Sequence, residues 1–280
     1  YIFFGPGFDP ATARTLEAEE PEAGAHFGTA IATGDVNDDD HSDIIISADR
    51  TDVSGGTIVN AGQAVVFFGA TELTKPEELD TTIDATLQGA NQRGATFGRA
   101  MVAGDVTGDG IVDIVIGAPL FDVSSSLKDV GELTVFVGGT TLVGTSTGTA
   151  TIRGPIASSA YFGSSVAIGD VNGDGLGDVV AGSPGSEVPG FPNAGRAFVF
   201  LSGTELTGIL NTNVTLQTPD PEGNARFGQA VGVADFDGNG VADVAVAAPG
   251  ATVGGVADAG RIYIFFSSAP IPSKAHRGSR

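Results

Sequence analysis

Residues 169–184 read GDVNGDGLGDVVAGSP: oxygen-bearing side chains at alternate positions, glycines between them, then a run of small and β-branched residues. The pattern recurs as GDVNDDDHSDIIISAD from Gly34, GDVTGDGIVDIVIGAP from Gly104 and ADFDGNGVADVAVAAP from Ala234. Its first Asp falls at 35, 105, 170 and 235, so the spacings are 70, 65 and 65 residues. A Phe-Gly pair precedes each copy at a constant interval: Phe27-Gly28, Phe97-Gly98, Phe162-Gly163 and Phe227-Gly228. Self-similarity at a fixed period means one supersecondary unit copied along the chain.

Each unit reads as four short strands. After Phe-Gly come alternating small and apolar residues (SSVAIGD, 164–170), then the acidic loop, an apolar run, a Gly-rich connection and an aromatic strand such as RAFVFLSG (196–203). A shorter alternating segment, NVTLQT (213–218), closes the unit. Runs of four to seven Val, Ile and Phe residues bounded by Gly, Pro and Asn are strands, and no segment sustains a helical period. Four-stranded units of this length are the blades of a β-propeller, whereas a solenoid has a much shorter period and tandem sandwiches need about 100 residues each. The fold expected is all-β, a propeller of four-stranded antiparallel blades, with an acidic loop between the first and second strands of each. The repeats lie around 27–87, 97–153, 162–217 and 227–266, residues 1–18 supply terminal strands, and 269–280 form a tail.

The Phe-Gly pair, the acidic loop and the Gly-Ala-Pro ending, in that order, resemble the FG-GAP repeats of the integrin α-subunit head and its prokaryotic relatives. The resemblance covers nearly the whole chain. The first repeat departs from it, ending Ile46-Ser47-Ala48-Asp49 without Pro, and the third and fourth read Gly182-Ser183-Pro184 and Ala247-Ala248-Pro249.

The loops have the oxygen chemistry of a calcium site, since a hard cation takes six to eight oxygens in flexible geometry. Loop positions 1, 3, 5 and 9 are Asp35, Asn37, Asp39 and Asp43; Asp105, Thr107, Asp109 and Asp113; Asp170, Asn172, Asp174 and Asp178; Asp235, Asp237, Asn239 and Asp243. Position 7 is His41, Ile111, Leu176 or Val241, so only its backbone carbonyl can be a common ligand. Up to four Ca2+ are expected. Gly110, Gly175 and Gly240 at position 6 permit a sharp turn, while the first loop has Asp40 there. An EF-hand needs a bidentate Glu at position 12, where this chain has Ile46, Ile116, Ala181 and Val246. The metal-free reading is a set of Asx-turns holding hairpins.

A formal charge of −21, from 34 acidic against 13 Lys and Arg residues, argues against nucleic acid and anionic lipid and favours cations. Cysteine is absent, excluding disulfides and thiolate metal sites. No apolar run approaches the roughly 20 residues that span a bilayer, so membrane insertion is not expected. His26, His41 and His276 are scattered, and neither G-x-S-x-G nor HExxH occurs, so an enzyme is not expected. The third-strand Phe residues, Phe67, Phe68, Phe136, Phe198, Phe200, Phe265 and Phe266, are expected to fill the space between blades, and Asn213 heads a glycosylation sequon.

Strand alternation puts all four acidic loops on one face and the longer connections, such as 49–62 and 185–195, on the other, where binding residues gather. By resemblance, integrin-like propellers meet partners on that opposite face. The expected function is a calcium-binding, extracellular or cell-surface adhesion or recognition module for a protein or glycan. The alternative is a calcium-dependent polysaccharide lyase or hydrolase, or a lectin, on the same fold. The ends pose a counting problem: YIFFG (1–5) and RIYIFF (261–266) both read as third strands and ARTLEA (13–18) as a fourth. That excess implies missing blades of a larger propeller or strand exchange with another chain.

Overall fold

The structure, a computed structural model, describes residues 13–70, 80–154, 156–202, 208–210 and 214–268. The YIFFG segment, Asn213 and the 269–280 tail lie outside the described residues. Every regular element among those described is a strand.

The first unit runs β1 (Phe27–Gly34), β2 (Asp43–Ala48), β3 (Gln63–Phe67) and β4 (Ala85–Leu87). The second runs β5 (Ala100–Gly104), β6 (Asp113–Ala118), β7 (Glu132–Phe136), β8 (Gly144–Ser146) and β9 (Ala150–Ile152). The third has β10 (Ser165–Gly169), β11 (Asp178–Ser183), β12 (Arg196–Phe200), β13 (Gly208–Leu210) and β14 (Val214–Leu216), and the fourth β15 (Ala230–Ala234), β16 (Asp243–Ala248) and β17 (Arg261–Phe265). Units one to three each build an antiparallel four-stranded meander in chain order, and units two and three each lend a further short strand to the preceding sheet. That loan was not visible in the sequence: β8 leaves the second unit to pair in parallel with β4, and β13 leaves the third to pair in parallel with β9. The fourth unit shows three strands among the described residues.

The sheets stand in a row, β1 packing on β5, β5 on β10 and β10 on β15. Among the described residues no packing of that extent joins β15–β17 back to β1–β4. Second strands such as β6 and β11 are buried along their whole length because neighbouring sheets cover both their faces, which explains their continuous apolar runs.

Phe-Gly works as a clasp. The Gly98 N–H donates to Gly117 O (2.9 Å), Gly163 to Gly182 O (3.0 Å) and Gly228 to Ala247 O (3.0 Å), tying each pair to the end of its own second strand. The Phe ring is thereby driven into the seam with the preceding sheet. There it meets a ring of its own unit's third strand edge-on: Phe97 and Phe136 at 6.0 Å, Phe162 and Phe200 at 5.7 Å, and Phe227 and Phe265 at 5.9 Å between centroids. The expectation for the third-strand Phe residues fails at Phe266, which is 63% exposed because no described element faces it.

Candidate metal loops and the opposite face

Each acidic loop bridges the first and second strands of its unit, between β1 and β2, β5 and β6, β10 and β11, and β15 and β16. Position 1 folds the loop over itself. Asp35 accepts the N–H groups of Asp38 (2.8 Å) and Asp39 (3.1 Å) on Oδ1 and that of Asp40 (2.8 Å) on Oδ2. Asp105, Asp170 and Asp235 likewise accept from the residues at positions 4 and 6. Those two positions have positive φ in all four loops, with Asp38 (65°) and Asp40 (68°) where the other loops carry Gly. Position 4 was the missed turn signal, although Gly108, Gly173 and Gly238 display it.

Position 9 is fully buried in all four loops. One oxygen of Asp43, Asp113, Asp178 and Asp243 accepts the N–H of position 2, at 2.8–3.0 Å. The other accepts an N–H just beyond the third strand, from Gly69, Gly138, Ser202 or Ser267, at 2.7–2.9 Å. This carboxylate therefore staples the loop to two strands. Burial pushes the Asp43, Asp113 and Asp178 carboxyls up from their ordinary value, against the N–H donors that pull them down.

Positions 3 and 5 separate the loops. In the first and third, Asn37 and Asn172 donate through Nδ2 to Asp39 and Asp174, both at 2.9 Å. That bond is the main reason the Asp39 carboxyl sits below its usual range, and the His41 ring adds a contact at 3.1 Å. In the fourth loop the residue types are exchanged: Asn239 at position 5 turns to Ser267 O (2.9 Å), leaving Asp237 at position 3. Asp235, Asp237 and Asp243 then bring one oxygen each to within 4.8 Å of one another, a grouping that among the described residues occurs in this loop alone. In the second loop the Thr107 N–H donates to Asp113 Oδ2 (3.0 Å) and the Ile111 N–H to Asp109 Oδ1 (2.9 Å). The position 7 residues Ile111, Leu176 and Val241 donate their N–H groups to position 5, as does His41.

The donor set fits a hard cation. Oxygen is the only ligand type shared by the loops, and Asn37 Oδ1 is buried without a hydrogen-bond partner, an acceptor left open at a ligand position.

The other end of the units holds a depression of about 630 Å3. The residue following Phe-Gly reaches it from every unit: Thr29, Arg99, Ser164 and Gln229. Arg50, Thr96 and Tyr161 add donors and an aromatic ring. Buried Asp49 anchors its rim, 3.3 Å from Arg99 Nη1 and 3.1 Å from His26 Nδ1. Sequence reasoning named this face and the connection 49–62, which holds Asp49 and Arg50, but not the residues that follow Phe-Gly; their fixed offset from that pair was the available signal.

FG-GAP repeats match residues 97–136, 162–200 and 227–265. The chain is 33% identical over 200 residues to integrin alpha-PS5 of Drosophila melanogaster, covering 70% of this chain and 18% of that protein. It is 33% identical over 167 residues to integrin alpha-IIb of Mus musculus (58% and 16%) and 37% identical over 105 residues to mouse phosphatidylinositol-glycan-specific phospholipase D (35% and 12%). The chain thus spans less than a fifth of each of these relatives. An exotype rhamnogalacturonan lyase structure aligns with a TM-score of 0.48 at 15% identity, over 82% of this chain and 41% of that one. The chain is an FG-GAP repeat, integrin alpha-like protein.

Proposed function

We propose that this FG-GAP repeat protein is a propeller-type adhesion or recognition module of the extracellular space, stiffened by calcium on one face and binding its partner on the other. One observation carries the reading: a residue from the same offset in four units, Thr29, Arg99, Ser164 and Gln229, converges on one depression opposite the acidic loops. These side chains stand at or immediately before the starts of the first strands while their chemistry varies between units, which suits a binding surface.

Calcium would be held by positions 1, 3, 5 and 9, with Asp235, Asp237 and Asp243 the most convergent carboxylates. The ion would offset the repulsion among these groups and tie each loop to its second strand. Non-enzymatic binding outside the cell accords with the similarity to integrin alpha chains.

The test is binding of the calcium-loaded chain to panels of extracellular proteins and glycans, comparing Arg99→Glu with Asp38→Lys. Loss of a captured partner in Arg99→Glu alone is expected. Loss in Asp38→Lys with retention in Arg99→Glu would place recognition on the acidic-loop face and overturn the assignment.

A further inference from the structure

The same turn crosses every seam inside the chain. The residue before Phe-Gly holds a positive φ at each: Thr96 (56°), Tyr161 (54°) and Arg226 (57°). A β-branched or aromatic residue enters that region at a cost, and such strain gathers where a side chain must be aimed. Two bonds impose it. The N–H of Thr96, Tyr161 or Arg226 donates across the seam to the carbonyl of Asn60, Asp129 or Asn193 (3.4, 3.0 and 3.1 Å), while its own carbonyl accepts the N–H of Arg99, Ser164 or Gln229 (3.2, 3.2 and 3.1 Å). Each turn therefore brings two polar side chains to the face opposite the acidic loops.

The depression of about 630 Å3 continues into a smaller one of about 330 Å3, and Tyr161, Pro184 and Gln229 line both. Arg50 and Arg99 line the first and Arg226 the second, so Tyr161 joins two cationic stretches. Among the described residues the sole carboxylate in either lining is Asp49. It is buried and already engaged by His26, Arg99 and the Thr29 hydroxyl (3.2 Å). Arg50 and Arg226 are exposed and form no ion pair among the described residues. In a chain with 34 acidic against 13 Lys and Arg residues, three guanidiniums around one neutralised carboxylate reverse the sign of the surrounding surface.

The rest of the lining is mostly neutral and hydrogen-bonding, with hydroxyl and amide groups from Thr29, Thr96, Ser164 and Gln229. Its aliphatic part is Pro119, Leu120 and Pro184, too little to seat the buried anchors that dominate protein interfaces. The Tyr161 ring is held against Gly185, where a Cβ would stand 2.6 Å from the ring Cδ2. A ring fixed in this way suits the C–H face of a sugar.

We propose, on the footing that this is the recognition face, that its ligand is an acidic oligosaccharide. Arg50, Arg99 and Arg226 would hold the acid groups, the hydroxyls and the Gln229 amide would bond the sugar hydroxyls, and one sugar ring would lie on Tyr161. Carboxylate and sulfate both present the paired oxygens that a guanidinium fork grips, so uronic and sulfated sugars are the two sources of that charge. A neutral glycan would leave the three guanidiniums without a counter-charge, and an acidic peptide would leave the hydroxyls and the ring without matching groups.

Isothermal titration calorimetry of the calcium-loaded chain tests this with a short oligogalacturonate, a sulfated maltooligosaccharide, the uncharged counterpart of each (the methyl ester and the unsulfated sugar) and an oligoglutamate peptide. At least one sugar acid should bind, and the arm that does so identifies the acid group as carboxylate or sulfate. Its uncharged counterpart should bind more than about tenfold more weakly. The double variant Arg50→Gln, Arg226→Gln should lose affinity by a similar factor, with an unchanged melting temperature because both side chains are exposed. Equal binding of the uncharged counterpart, full affinity in the double variant, or preference for the peptide over both sugar acids would overturn the sugar-acid assignment and leave recognition on this face standing. Binding of none of the probes would overturn it too, whereas the recognition face itself fails only if Arg99→Glu keeps the partner captured from the extracellular panels.

Discussion

The first and fourth acidic loops share a template and spend their carboxylates differently. In the first, Asp39 is engaged by Asn37 at 2.9 Å and by His41 at 3.1 Å. In the fourth, the amide has moved to position 5 and bonds Ser267 O, so Asp237 stands with Asp235 and Asp243 in one acidic cluster. Both loops use position 9 as a buried staple. Within this motif, position 9 is thus a folding residue first, and the exchange of Asn and Asp between positions 3 and 5 accompanies the convergence of the three carboxylates in the fourth loop.

The broadest challenge to the comparison is removal of calcium. An ion bound only by the folded chain stabilises it by about 2.7 kcal/mol when present at 100 times its dissociation constant. Chelation should therefore lower the melting temperature, and added calcium should restore it. Identical melts with and without chelator would leave the loops as plain Asx-turns.

Next in size is a pair of fourth-loop substitutions measured in chelator. Asp243→Ala orphans the N–H groups of Phe236 and Ser267 and should cost about 3 kcal/mol in denaturant unfolding. Asp237→Ala relieves a like-charge cluster and should leave stability unchanged or slightly raised. Equal losses would erase the distinction between staple and ligand.

A smaller effect is expected from grafting the fourth-loop arrangement onto the third. The double variant Asn172→Asp, Asp174→Asn keeps the loop's charge and removes the Asn172 to Asp174 bond. Calcium affinity of that loop should rise about fivefold, and an unchanged affinity would show that the position of the amide is immaterial.

The smallest effect concerns the turn. Asp40 holds φ at 68° where the other loops have Gly, so Asp40→Gly should stabilise by about 0.5 kcal/mol after the entropy of the unfolded glycine is counted. A destabilised variant would mean that the Asp40 side chain has a role of its own.

The strand order within a unit was readable because Phe-Gly, loop and apolar run recur in that order with the same spacings of 70, 65 and 65 residues. Loans between sheets were not, since Gly144–Ser146 carries no apolar pattern and pairs through its backbone. Loop positions 1 and 9 could be read as oxygen donors, but their backbone bonds could not, because spacing does not distinguish a carboxylate that caps N–H groups from one that awaits an ion. The depression at Arg99 and Tyr161 escaped because its lining is gathered from scattered positions in all four units.

Calcium titration of the wild type beside Asp237→Ala and Asp39→Ala, by equilibrium dialysis with elemental analysis, tests the central claim most directly. Binding of up to four ions is expected, with the tightest phase lost in Asp237→Ala and kept in Asp39→Ala. Failure of the wild type to bind calcium, or a tightest phase that survives Asp237→Ala, would contradict it.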